Sequence, residues 1–206
     1  MTLACDCDGT LLDSERVVKE VFLGILAQFG HPMDGDLYDT FIGSPDHDIQ
    51  HLLANGMDQQ TLDRFYAQFN QVMDHSNIPL KPGVVELLDH GRSIGHRLVL
   101  ATSSSRRHVA RYLPPEVIAR FDLILTKESV TRRKPDPEIY RLAQSAFPDQ
   151  RLVVLEDSPH GITAAVGAGA ACYLIPDQAR CDAVCRATCA GVVAAARDLI
   201  GHLPPP

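Results

Sequence analysis

Residues 151–175, RLVVLEDSPHGITAAVGAGAACYLI, read as strand, helix, strand. Leu152–Leu155 is an unbroken apolar run, Pro159–Gly169 a helix rich in small residues, and Ala171–Ile175 a second apolar run. Strands that are apolar on every residue are buried on both faces, as in parallel sheets. The same alternation runs upstream, with strands at Arg97–Thr102 (RLVLAT) and Leu123–Thr126 and helices at Arg106–Leu113 and Pro137–Phe147. Short strands alternating with helices predict an α/β fold, a doubly wound, Rossmann-like parallel sheet. Crossovers should be right-handed, and functional groups belong at the carboxyl ends of the strands.

Working outward, the N-terminus supplies one more strand. Leu3-Ala4-Cys5 leads into Asp6-Cys7-Asp8-Gly9-Thr10-Leu11-Leu12. Side chains at i and i+2 of a continuing strand share a face, and Gly9 permits a sharp bend beyond them. A carboxylate so placed can act as a nucleophile, with a second carboxyl as acid or base. The same residues also suit a plain strand-to-turn junction, in which Asp and Gly only cap a loop. Three positions decide between these: Asp6, Thr102 and Asp157 each fall where an apolar run stops. Glu156 and Asp157 are adjacent acids at a strand end, and they repel each other unless a cation sits nearby.

At 206 residues, 45% hydrophobic and 22% charged, the chain has the composition of a globular protein with ample core. No apolar run is long enough to span a bilayer, and no signal-peptide pattern opens the chain, so no membrane partner and a cytoplasmic location are expected. The net charge of −7 lies within residues 14–80, which hold ten acidic and three basic residues, 3 − 10 = −7. An acidic module of this kind disfavours nucleic acid. Residues 15–75 follow a helical period, with Val17, Val18, Val21, Phe22, Ile25, Leu26 and Phe29 on one face and Gly30 as a stop. Further helices are expected near 46–54 and 58–75. This organisation predicts a core of residues 1–14 and 80–206 and an inserted small all-helical cap of 15–79. Hinges are expected near Asp13–Glu15 and Asn77–Gly83. Cys181, Cys185 and Cys189, spaced i, i+4, i+8, read as one helix face of small buried residues rather than a thiolate metal site. His47 and His51 read as helix-surface residues.

Taken together, four ordered segments resemble the haloacid dehalogenase-like phosphohydrolases: DCDGTLLDSE (6–15), LATSS (100–104), Lys134 in KPDPEIY (134–140), and LEDSPHGITAA (155–165). The insertion after the first segment resembles the helical cap of the β-phosphoglucomutase-like subgroup. The resemblance implies that Asp6 attacks phosphorus to give an aspartyl-phosphate and that Asp8 exchanges protons with the leaving oxygen and with water. It implies that Thr102, Ser103 and Lys134 hold the phosphoryl group. Asp6, the Asp8 carbonyl and Asp157 would ligate Mg²⁺, supported by Glu156. Asp8 itself argues for phosphoryl transfer, because the dehalogenases lack a carboxyl there. Cys5 departs from the family, which usually places a bulky apolar residue before the nucleophile.

Charge counting agrees with a metal. Asp6, Glu156 and Asp157 bring three negative charges and a phosphate monoester about two, which Lys134 and one Mg²⁺ largely offset. The expected activity is a Mg²⁺-dependent phosphatase acting on a small phosphorylated metabolite, a sugar phosphate or sugar-acid phosphate, as a monomer or weak homodimer. Gly43, Ser44, Arg106 and Arg107 are the candidate specificity residues. A phosphosugar mutase shares the motifs but needs cationic contacts for a second phosphate, which an acidic cap does not favour. A non-enzymatic, receiver-like phospho-acceptor places its residues in a different chain order and needs no helical lid. A phosphonate-cleaving relative would need a cap lysine, and only Lys19 falls in the insertion.

Overall fold

The computed structural model describes residues 1–40, 53, 56–178 and 181–203. Its centre is a six-stranded, all-parallel sheet in the order β3-β2-β1-β4-β5-β6. The strands are β1 (Thr2–Cys5), β2 (Arg97–Ala101), β3 (Leu123–Leu125), β4 (Leu152–Glu156), β5 (Ala171–Leu174) and β6 (Gly191–Val192). Every residue of β1 and β4 is buried, as continuous apolar runs require when helices cover both sheet faces. Strand order reverses between β1 and β4, whose register pairs Cys5 with Leu155. A crevice opens outside the carboxyl ends of strands at such a reversal.

Helices cover the two faces. One core cluster joins Leu3, Cys5, Leu87, Leu98 and Leu155 with Leu199, and the other joins Ala4, Val99, Val154, Tyr140 and Ile162. Alternate residues of the same strands thus face opposite layers. The helices that follow the N-terminal strand are α1 (Ser14–Gln28), α2 (Gly35–Asp39) and α3 (Gln59–His75), and Asp58 caps α3 by accepting from Thr61 N–H at 2.8 Å. They pack on one another through Phe22, Ile25, Leu26, Tyr38, Leu62 and Phe65, with the rings of Phe22 and Phe65 edge-on at 5.0 Å. Where the chain leaves and re-enters the sheet region, Asp13 N–H donates to the Pro79 carbonyl at 3.0 Å and Lys81 N–H to Leu11 at 2.8 Å. The two connections run side by side, close to the expected hinges.

The remaining helices are α4 (Val84–Ser93), α5 (Arg106–Tyr112), α6 (Pro115–Ile118), α7 (Glu138–Ala146), α8 (Pro159–Gly167) and α9 (Ala183–Thr188). The expected strands and helices from residue 97 to 175 are all present, with ends shifted by a residue or two. Helix α4, with Val84, Leu87, Leu88 and Gly91 buried at helical spacing, and the short β6 were not anticipated. The helix expected near 46–54, with His47 and His51, falls almost wholly outside the described residues. The cysteine expectation is corrected: Cys181 precedes α9, whose cap is Asp182, and it is joined to Cys185 by a disulfide. A helix face cannot include a residue outside the helix. All three sulfurs are partly buried against the second core cluster. No helix among the described residues is long and apolar enough to cross a membrane.

Candidate active site

Asp6 follows β1 directly, and its N–H still donates to the Leu155 carbonyl at 3.1 Å. That bond keeps the end of β1 in register with β4, whose last residue is Glu156, followed by Asp157. The carboxylate oxygens of Asp6, Glu156 and Asp157 lie within 4.8 Å of one another. Lys134 reaches them from the turn before α7, a non-helical position in keeping with its place before a proline. Its ammonium donates to Asp6 Oδ1 at 2.6 Å, Glu156 Oε1 at 2.6 Å and the Ala101 carbonyl at 2.9 Å. All three of its N–H donors are thereby used.

Glu156 is saturated. Tyr140 O–H donates to Oε1 at 2.6 Å, while Oε2 accepts from Asp157 N–H at 3.2 Å and from the Ser158 hydroxyl at 3.3 Å. Helix α8 passes so close that a Cβ at Gly161 would stand 2.0 Å from this carboxylate. Gly161→Ala is therefore expected to displace Glu156 and cost about 3 kcal/mol of stability. Chemical denaturation of the variant measures it, and a midpoint equal to that of the parent would contradict the packing argument. Asp157 is approached from the other side. Thr10 O–H donates to its Oδ1 at 3.0 Å, and Gly9, at φ 71°, brings bare backbone against its Oδ2. A side chain at Gly9 would be both strained and in collision. Asp6 Oδ2 and Asp157 Oδ2 receive no hydrogen bond among the described residues.

Asp8 stands across the crevice. Its Oδ2 accepts from Ser104 O–H at 2.6 Å and its Oδ1 pairs with His108 Nε2 at 2.9 Å. Thr102 is 1% exposed, and its Oγ1 accepts the Ser104 N–H at 3.0 Å, which shapes the turn after β2. Asp6, Asp8, Thr102, Ser103, Lys134 and Asp157 line one polar cavity of about 460 Å³, closed on the α1 side by Glu15 and Val18.

Burial in this acidic pocket dominates its electrostatics. Desolvation, reinforced by Glu156 and Asp8, pushes Asp6 up to about 7 against the pull of Lys134. Asp157 rises well above the carboxylate range through burial and then through Glu156 and Asp6. Burial alone would lower Lys134, but Asp6 and Glu156 outweigh it and keep the ammonium charged. Burial likewise works to raise Asp8, yet the donors His108 and Ser104 hold it below its ordinary value. Glu15 is pushed up to about 7 by burial, then by Asp8 and Asp177. The Cys5 thiol, buried beside Asp6, goes up to about 12, and Cys7 also rises through burial. Neither supplies a thiolate nucleophile.

A family model described as haloacid dehalogenase-like hydrolase matches residues 4–175. The chain belongs to the haloacid dehalogenase-like hydrolases. Among curated relatives of this hydrolase, the phosphorylated carbohydrates phosphatase of Thermotoga maritima is 30% identical over 80% of this chain and 79% of its own length. The validoxylamine A 7'-phosphate phosphatase of Streptomyces hygroscopicus subsp. limoneus is 30% identical over 81% of each chain. A solved family hydrolase from Deinococcus radiodurans R1, with bound phosphate and sodium, superposes with TM-score 0.81 at 26% identity, covering 100% of this chain and 98% of that one. The present hydrolase is an enzyme of the phosphoric monoester class.

In this haloacid dehalogenase-like hydrolase the residues read from the four motifs converge on one crevice, and Glu156 lies behind it rather than in its lining. The specificity candidates fare differently. Gly43 and Ser44, with the run Phe41–Pro45, lie outside the described residues. Arg106 and Arg107 are exposed at the start of α5. Arg106 does not line the cavity, whereas Arg107 lines a neighbouring one of about 350 Å³ between α1, α3 and α5. Thr10, Ser104, His108, Tyr140, Arg133 and Glu15 were not picked out individually. Thr10, Ser104, Tyr140 and Glu15 sit inside the quoted motifs, so a signal existed for them. Nothing local marks His108.

Proposed function

We propose that the enzyme is a Mg²⁺-dependent phosphatase of a small phosphorylated sugar or sugar acid, working through an aspartyl-phosphate on Asp6. One observation carries this reading: Asp6 and Asp8 face a common cavity, with the Lys134 ammonium 2.6 Å from Asp6 and a second carboxylate, Asp157, beside it. The substrate class rests on the activities for which the two phosphatase relatives at 30% identity are named. It also rests on a cavity of about 460 Å³, a size usual for small-molecule sites.

The donor set fits magnesium. It is made of oxygens alone, the preference of that ion. Two oxygens, on Asp6 and Asp157, lack donors, and burial has driven both groups' pKa values upward, so a cation would return them to their charged forms. Asp6, Asp157 and the Asp8 main-chain carbonyl would hold the ion, and Glu156, already saturated, would steady Lys134 behind them. When bound, the metal neutralises charge on the phosphoryl oxygens.

The chain's own residues perform the transfer. Asp6 attacks phosphorus, forming an O–P bond as the ester O–P bond breaks. Lys134 offsets the charge gathered around Asp6, while the Thr102 hydroxyl and the Ser103 N–H receive the phosphoryl oxygens. The incoming dianion raises the Asp8 pKa by like-charge repulsion, so Asp8 carries the proton that the leaving alkoxide takes. Asp8 then accepts a proton from water, which attacks the acyl phosphate and restores Asp6. Helices α1–α3, joined to the core through the paired connections at Asp13 and Pro79, act as the cap that excludes bulk water. Glu15 supports hydrolase over mutase, because the side chain that this cap brings to the cavity offers no positive charge to a second phosphate.

Excess EDTA is expected to abolish phosphate release, and added Mg²⁺ to restore it; full turnover in chelator would remove the metal from the proposal. A phosphate-release screen over sugar, sugar-acid, nucleotide and small organic phosphates tests the substrate class, which fails if nucleotides are preferred.

A further inference from the structure

Both oxygens of Asp8 are already engaged, and the two donors come from one short stretch. Ser104 lies in the turn after β2, and His108 lies one helical turn further, in α5. The link between them is local. Ser105 caps α5 by accepting His108 N–H at 3.1 Å, which fixes the first turn and turns the imidazole toward the crevice. There Nε2 reaches Asp8 Oδ1 at 2.9 Å. The other side of the ring packs on Tyr112, with centroids 4.7 Å apart, and Tyr112 O–H is anchored to the Met73 carbonyl of α3 at 2.8 Å. A ring held by its own helix, by the tilted ring of Tyr112 and by Asp8 has little rotational freedom left.

We infer that His108 is a positioning residue for the proton-transfer step: its imidazole, opposite the Ser104 hydroxyl, holds the Asp8 carboxyl in the plane and direction from which it serves the leaving oxygen. This inference rests on the acid/base reading of Asp8 above. A carboxyl side chain rotates freely about its Cβ–Cγ bond unless both oxygens are tethered. Proton transfer demands hydrogen-bond reach to the reacting atom. One tether, from Ser104, leaves the carboxyl free to swing about that contact; two set its plane. His108 lines the same cavity, but its Nε2 is engaged with Asp8 and makes no hydrogen bond to Asp6, so its effect passes through Asp8.

The chemistry provides a readout that loss of packing would not imitate. An alkyl phosphate leaves as a strongly basic alkoxide and needs its proton, whereas p-nitrophenyl phosphate leaves as a stable phenolate and does not. The experiment compares kcat/KM for glycerol phosphate and p-nitrophenyl phosphate in the parent, Asp8→Asn, His108→Ala, His108→Gln and Ser104→Ala enzymes, all with Mg²⁺. Asp8→Asn should depress the alkyl substrate far more than the aryl one. His108→Ala should follow the same pattern at smaller amplitude, roughly 10- to 100-fold on glycerol phosphate and less than about threefold on p-nitrophenyl phosphate. His108→Gln keeps a side-chain N–H donor and should recover most of the alkyl activity. Ser104→Ala should shift the same ratio, since it removes the opposite tether. Equal losses on both substrates in His108→Ala, or no recovery in His108→Gln, would overturn the inference while leaving Asp8 intact. Equal losses in Asp8→Asn would overturn the acid role itself, and the inference with it.

Discussion

Asp6→Asn is expected to lower phosphate release by at least about 10⁴-fold, the scale seen when a covalent nucleophile is removed. The amide is nearly isosteric and its oxygen can still accept from Lys134, which now sits 2.6 Å from Asp6 Oδ1. It carries no negative charge and does not form a stable phosphoryl ester. The fold should survive. Asp6 is one of three clustered carboxylates, and burial together with Glu156 already drives its pKa up to about 7, so removing its charge relieves repulsion. Thermal unfolding should therefore show a Tm equal to or above that of the parent, beside an inactive enzyme. Turnover within tenfold of the parent would remove Asp6 from the nucleophile's place.

Lys134→Ala is expected to fail in both respects. The ammonium is the only cation in contact with Asp6 and Glu156 among the described residues, and its side chain is 5% exposed. Deleting it strands two carboxylates in a pocket that water hardly reaches. Removing one partner of a buried ion pair typically costs 3–5 kcal/mol, because the remaining charge is uncompensated. For a chain of this length that corresponds to a fall in Tm of roughly 10 °C. Activity should vanish as well, since Lys134 is the only ammonium among the described residues that contacts Asp6, and the proposed metal by itself leaves much of the charge of the acids and the phosphate uncompensated. Lys134→Arg should not rescue it, because a planar guanidinium cannot reproduce three divergent bonds to Asp6, Glu156 and Ala101. A Lys134→Ala protein as stable as its parent would show that the cluster is held by something other than this ammonium.

These expectations concern residues visible before any coordinates, and the reason is physical. Asp6 and Asp157 end apolar runs, and Thr102 ends a third. In a parallel sheet every strand end opens on the same edge. Sequence distance is then no obstacle to proximity: Asp6 and Lys134 meet because β1 lies beside β2 and β4, not because of any local pattern. The helices were legible for a similar reason, since Val17 through Phe29 repeat at the period of one buried face. Helix α4 and strand β6 escaped notice. The second pairs only two residues, Gly191 and Val192, with β5, too few for a periodicity to register.

His108 marks the limit more sharply. In sequence it is one polar residue on a short helix beginning Arg106-Arg107, and those two arginines are the residues that the sequence offers for a substrate contact. Which of these neighbours faces Asp8 depends on where the Ser105 cap starts the helix, and on how α5 is rotated against Tyr112 and α3. A shift of one residue turns a helix by about 100°, so a cap that forms one position later would aim a different side chain into the crevice. Cys181 shows the same sensitivity, since its i, i+4 spacing to Cys185 implied a common helix face until the helix proved to start after it.

Alternating apolar runs and residues at their ends were enough to determine the parallel α/β sheet and to put Asp6, Thr102 and Asp157 at its carboxyl edge, because both follow from burial and chain direction, whereas Lys134 was legible only through the family resemblance. Tertiary structure alone decided which hydroxyls and rings complete that group. Ser104 and His108 on Asp8, Tyr140 on Glu156 and Thr10 on Asp157 are choices of rotation and close packing among elements far apart in the chain. Such choices depend on contacts that no single segment contains.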